Sequence, residues 1–191
     1  PGDGGVPEER CLSWETGGSR AVVAPHLGDV VLTEFMADPR AVADATGEWV
    51  ELYARRDVDL NGVTLANEGS GRTTLEATRC LRVKAGAYAV LARSADHASN
   101  GGLPPVLGTF SFSLGNSAAA RALRLSRKGT LLDEVRWTSE ALPGVSWQLE
   151  PKKRTPEGND EPGSFCATPD GTRYGRGDRG TPGGENRPCA P

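Results

Sequence analysis

The sequence predicts an all-β chain built as an antiparallel sandwich, on three observations. Short runs of alternating apolar and polar residues recur roughly every 8–15 residues. Glycine, proline, asparagine and aspartate punctuate the gaps between these runs. Nowhere do strands alternate with long helical patterns, the rhythm of a parallel βαβ fold.

Residues 1–27 are a Gly/Pro-rich arm with little periodicity. The first strand is predicted within residues 28–37, with Val31, Thr33 and Phe35 on one face and Val30, Leu32, Glu34 and Met36 on the other. Asp38 and Pro39 end it. In the next strand Val50 and Leu52 point one way, and Trp49, Glu51 and Tyr53 the other. Val58 and Leu60 follow, then the turn pair Asn61–Gly62 and a run from Val63 to Leu65. Shorter strands are expected at residues 73–75 and 80–83, and a firmer one at residues 88–93. A polar loop holding His97 comes next, and Phe110 and Phe112 alternate as if on a short strand. Ala, Leu and Arg favour helix over residues 118–126, yet Lys128–Gly129 followed by residues 131–137 reads as a hairpin. Residues 144–149 form the last predicted strand.

At 191 residues the chain suffices for one domain with tails, and burial of roughly 70% of its unfolded surface is expected. Its 25 glycines and 14 prolines concentrate at the two ends. The predicted domain therefore spans residues 28–189, with a core at about 28–149 and a Gly/Pro-rich segment at 150–189. The formal charge of −3 provides no broad positive field for phosphate backbones. No apolar run is long enough to span a membrane. The chain begins without Met or a signal peptide, so a monomeric module cut from a longer protein is expected.

The cysteines are Cys11, Cys80, Cys166 and Cys189, too widely spaced for a zinc knuckle or a CxxC redox motif. Three pairings are open to them, and sequence alone does not choose. A Cys166–Cys189 bridge would close a tail with little means of packing itself, stabilising by roughly 3 kcal/mol on the chain-entropy model. It would leave Cys11 to pin the arm to the strand carrying Cys80. Paired cysteines point to an oxidising compartment, and four unpaired small hydrophobes to a reducing one.

Several words in this order resemble the lamin-tail domain family, in its bacterial exported form. They are Leu32–Thr33–Glu34–Phe35 with Pro39; Gly47-x-Trp49–Val50–Glu51–Leu52; and Val58-x-Leu60-x-Gly62-x-x-Leu65. Further on come Tyr88-x-Val90–Leu91–Ala92 after a Gly turn, Leu114-x-Asn116, and the hairpin bearing Asp133 and Trp137. The C-terminal word is Gly180–Thr181–Pro182–Gly183-x-x-Asn186. Ser164–Phe165–Cys166 departs from the Trp–Cys that bacterial relatives often carry at this point. The resemblance covers about residues 28–189 and implies an immunoglobulin-like sandwich with loop-rich extensions at both ends.

For function, two histidines, His26 and His97, lie outside any HExxH or GxSxG context, and no catalytic residue is assigned. The candidate metal ligands are Glu34, Asp38, Glu48 and Glu51, carboxylates suited to calcium, against a reading as solvated strand and turn acids. Asn159–Asp160–Glu161 and Asp170 share that ambiguity. Arg176–Gly177–Asp178 spells an adhesion tripeptide but reads as a turn. Lys152, Lys153, Arg154, Arg121, Arg124, Arg127 and Lys128 form a basic edge or edge-strand protection. Trp14, Trp49, Trp137 and Trp147 read as packing. The expectation is a non-catalytic interaction or scaffolding module of an exported or cell-surface bacterial protein, binding a protein or a carbohydrate (a surface polymer) or positioning a neighbouring domain. The alternatives are an accessory domain of a secreted nuclease or phosphatase-type hydrolase with a calcium site and, more weakly, nucleic-acid binding.

Overall fold

The computed structural model describes residues 8–189; residues 1–7 of the N-terminal arm, and 190–191, lie outside the described residues. The strands are β1 (Arg10–Leu12), β2 (Ser19–Ala21), β3 (Val30–Met36), β4 (Trp49–Ala54), β5 (Val58–Asp59), β6 (Val63–Asn67) and β7 (Arg72–Thr74). They continue as β8 (Arg82–Val83), β9 (Tyr88–Ala92), β10 (Val106–Thr109), β11 (Arg121–Arg127), β12 (Thr130–Trp137), β13 (Trp147–Leu149) and β14 (Phe165–Ala167). One-turn helices occupy Asp44–Gly47 and Pro156–Asn159.

A six-stranded sheet runs β10-β9-β4-β3-β13-β14 and a four-stranded sheet runs β12-β11-β6-β7. All of their pairings are antiparallel except β10 beside β9. Val50 and Leu52 of β4 and Leu91 of β9 share one apolar core with Val63, Leu65, Leu123, Leu125, Leu132 and Val135 of the other sheet. The result is a β-sandwich with a common interior.

A bulge corrects the predicted face of β3. The pairing with β4 slips between Leu32 and Glu34, so Val30, Leu32 and Phe35 all enter the core. Glu34 and Met36 then face away from it. The strand expected at Phe110 and Phe112 forms instead at β10, and the two rings stack just beyond it at 5.0 Å. The hairpin over residues 121–137 forms despite its helix-prone composition. Its turn places Lys128 at φ +49° and Gly129 at φ +81°, the conformation that matches the twist of paired strands.

The outer face of the six-stranded sheet is not left to solvent. All seven residues of β3 are buried, because the C-terminal segment lies across that face as a third layer. Met36, Trp49, Val90, Ala92 and Leu103 form a second apolar cluster there, with Tyr174 packed against it. Trp49 Nε1 donates to Tyr174 Oη at 2.9 Å. Gly180 passes so close that a Cβ would meet Trp49, Tyr174 and Glu34 at 3.1–3.2 Å. Disulfides join Cys11 to Cys80 and Cys166 to Cys189. The arm is held further by Arg20, which grips the buried Asp59 through both carboxylate oxygens.

Candidate functional site

The four carboxylates named from the sequence do not converge. Glu34 and Glu51 do meet, directly opposite each other on β3 and β4 and fully buried. Their oxygens are already taken. Thr181 donates its N–H (3.0 Å) and hydroxyl (2.7 Å) to Glu34, joined by the hydroxyls of Ser146 and Thr168. Thr33 Oγ1 and Gly183 N–H each donate to Glu51 at 2.7 Å. Asn186 completes the strap by donating to the carbonyls of Thr33 and Leu149, both at 2.9 Å. Burial raises both carboxyl pKa values, and for Glu51 the charge of Glu34 adds to it. The pair is thus a protonatable seam under the Gly180–Asn186 strap, with donors standing where a cation's ligands would be required.

Glu48 sits apart, buried between Arg93 Nη1 (2.9 Å), Ser113 Oγ (2.8 Å) and Leu114 N–H (3.2 Å). Its pKa is raised by burial, against the opposing pull of Arg93 and Ser113. Asp38 is half-buried at a bend, where its backbone carbonyl accepts from Gly144 N–H. Among the described residues, the one trio of potential metal-ligand atoms within 4.8 Å is Cys11, Asp59 and Cys80. Two of these are joined to each other, and the third is held by Arg20.

The other sequence candidates resolve into structure. Asp178 is buried and accepts from the N–H groups of Arg40 and Ala41, while Arg176 donates to the Ala98 carbonyl. The adhesion-like tripeptide is therefore a tied turn. The basic edge is largely neutralised: Arg121 by Glu68, Arg124 by Glu134, and Arg127 and Lys128 by Glu9. Lys153 pairs with Glu161, Arg154 with Glu185 and Arg179 with Asp170. His26 is exposed, and His97 Nδ1 lies 2.8 Å from the Leu103 carbonyl.

A different region has the features of a site. β12 and β14 are edge strands of the two sheets, and between them opens a cavity of about 530 Å³. That is within the range of small-ligand clefts. Its lining includes Phe35, Trp137, Trp147 and Phe165, with Phe35 centred 4.4 Å from Trp137 and 5.9 Å from Phe165. Asn159, Asp160 and Glu161, together with Glu134 and Arg136, add a polar wall.

Two residues of this lining each carry a buried polar atom that lacks a partner. Among the described residues, Trp147 Nε1 and Asn159 Oδ1 are buried without any hydrogen bond. The side chain of Asn159 is oriented by its other end, which donates to Asp133 at 2.8 Å. An unmade hydrogen bond at a buried polar atom costs about 1–3 kcal/mol, so both are local weak points of the fold. In the sequence Asn159 belongs to the run 159–161, ambiguous between metal ligands and solvated groups, and Trp147 reads as packing. That both line one cleft depends on the return of the chain to β13 at Phe165–Ala167, which leaves no local pattern. No family model, curated protein or solved structure matches this chain.

Proposed function

We propose that the chain is a non-catalytic interaction module of an exported or surface protein, with an immunoglobulin-like sandwich of the lamin-tail kind, and that the β12–β14 cleft is its binding site. The observation that carries this reading is the cleft itself: four aromatic residues and a polar wall gathered at the sandwich edge. Glu34, Glu51, Asp59 and Glu48 support a scaffold rather than a reaction, since they are spent on the C-terminal strap, the arm and a loop. Two disulfides and a covered sheet face suit a rigid body working outside a reducing compartment.

Tryptophan fluorescence tests the reading. Neutral oligosaccharides and extended peptides are titrated into the wild type, Trp137→Ala and Trp14→Ala. Trp14 is exposed and lies against Arg79, outside the cleft lining. A saturable response that Trp137→Ala loses and Trp14→Ala keeps is expected. No response from the wild type to either class of probe rejects the reading.

A further inference from the structure

Where the C-terminal strap meets Glu34, the hydrogens do not add up for a charged carboxylate. Asn186 Nδ2 donates to the carbonyls of Thr33 and Leu149, both at 2.9 Å, which leaves Oδ1 of the same amide facing Thr181 Oγ1, also at 2.9 Å. That oxygen can only accept. On its other side Thr181 Oγ1 lies 2.7 Å from Glu34 Oε2. A hydroxyl has one hydrogen to give. With Glu34 charged, that hydrogen goes to the carboxylate, and Asn186 Oδ1 faces an oxygen with nothing left to donate. With Glu34 neutral and its proton on Oε2, the chain closes: Glu34 donates to Thr181, and Thr181 donates to Asn186.

The second oxygen fits the neutral form. Glu34 Oε1 accepts from Thr181 N–H at 3.0 Å and from the Ser146 hydroxyl at 2.5 Å, as the carbonyl oxygen of an undissociated acid does. Across the ladder, each oxygen of Glu51 has a donor of its own, Thr33 Oγ1 or Gly183 N–H. Among the described residues, no lysine or arginine acts on either carboxyl. The other titratable groups facing the pair are Tyr174 and Asp178 in the C-terminal segment, and Tyr88 on β9 beside Arg154 and Glu185. Burial raises the pKa of both phenols, so neither adds charge near neutral pH.

We infer that Glu34 is a proton-operated latch, holding the Gly180–Asn186 strap shut while Oε2 carries its proton and releasing it when that proton leaves. The latch does not rest on the β12–β14 cleft. Two penalties arise together on ionisation. Asn186 Oδ1 loses its donor, and a second negative charge appears opposite Glu51 in a buried seam without a cation. Both fall on the strap, because it supplies Thr181, Gly183 and Asn186. Burial raises the Glu34 pKa, so the latch is closed on the acid side and opens as pH rises through the folded value. Gly180 lies against Trp49, so opening uncovers that ring. The Cys166–Cys189 bridge keeps the tail attached beyond the strap, which makes the opening local and reversible.

The test follows side-chain carbon and backbone amide resonances of the isotope-labelled whole chain from about pH 5 to about pH 9. Glu34 Cδ, assigned through bonds from its own amide, should keep the shift of an undissociated acid well above the pH at which an exposed glutamate ionises. As it titrates, the amides of Thr181 and Gly183 should lose roughly tenfold in hydrogen-exchange protection relative to Leu91 in the core, the loss of one hydrogen bond. Glu34→Gln places an amide where the acid stood, able to donate to Thr181 at every pH, and its strap amides should stay protected throughout. If that variant does not fold, the two wild-type titrations decide alone. A Glu34 carbon already ionised at about pH 6 overturns the proton assignment. Titration of Glu34 with the strap amides unmoved relative to Leu91, or no titration below about pH 9, overturns the latch. So does a pH-dependent loss of strap protection that Glu34→Gln shares.

Discussion

At Asp133, Leu32 N–H and Asn159 Nδ2 both donate to one carboxylate oxygen, at 2.7 and 2.8 Å. Those bonds favour the charged form, yet burial outweighs them and Asp160 adds its own repulsion, so the pKa rises from 3.8 to about 7. A carboxyl whose folded pKa exceeds its unfolded one stabilises the fold fully below the unfolded value. That stability is lost as pH rises through the folded value. The difference corresponds to on the order of 4 kcal/mol between pH 3.8 and about 7. The seam of Glu34 and Glu51 has the same sign, because both of their values are raised. Asp133→Asn retains an acceptor for both donors and cannot ionise. The urea midpoint of the wild type should fall between pH 5 and pH 8, and that of Asp133→Asn should fall distinctly less. Equal falls in the two proteins would show that Asp133 is not protonated in the fold.

At the scale of elements, the strands could be read and the strap could not. β4 announces itself by the alternation of Val50 and Leu52 with Trp49, Glu51 and Tyr53, and β6 and the β11–β12 hairpin by their turn residues Asn61–Gly62 and Lys128–Gly129. The bulge in β3 leaves no such mark, because it moves Phe35 onto the face of Leu32 by an extra residue rather than by a change of composition. The strap is invisible for a different reason. Residues 170–186 contribute few apolar side chains, and their attachment runs through Thr181 and Gly183 to buried glutamates on β3 and β4, and through Asn186 to carbonyls on β3 and β13. The C-terminal word was legible as a motif, but its target was not, because hydrogen bonds to backbone have no periodicity. Glu34 and Glu51 read in the sequence as calcium ligands or as solvated strand acids, and the fold instead buries both. Only the fold shows that they receive the strap. Thr181→Val keeps the shape and removes the hydroxyl that donates to Glu34 while lying 2.9 Å from Asn186 Oδ1. It should destabilise by about 1–3 kcal/mol, read as a drop of several degrees in melting temperature. An unchanged melting temperature would mean that the strap rests on packing alone.

For the whole molecule, the two disulfides hold the ends of the chain to different parts of the sandwich. Cys11–Cys80 closes a separation of 69 residues and Cys166–Cys189 one of 23. On the chain-entropy model these correspond to about 4 and about 3 kcal/mol, so the N-terminal bridge restricts the unfolded chain more. Each end also has independent ties in the folded state: Arg20 on Asp59 for the arm, and Thr181, Gly183 and Asn186 for the tail. Those ties are expected to keep either end docked when its bridge is removed, leaving the unfolded state to carry most of the effect. Replacing Cys11 and Cys80 by Ala should therefore lower the unfolding free energy more than replacing Cys166 and Cys189, and both variants should keep the folded spectrum of the wild type. The comparison is made by urea titration at one pH, with Tyr174 and Trp49 reporting on the tail through their fluorescence, since the two rings meet edge to face at 5.7 Å. If the Cys166 and Cys189 variant loses more stability, or loses the Trp49 signal before the core unfolds, the strap depends on its covalent anchor. The third layer would then be held by the disulfide rather than by the buried glutamates beneath it.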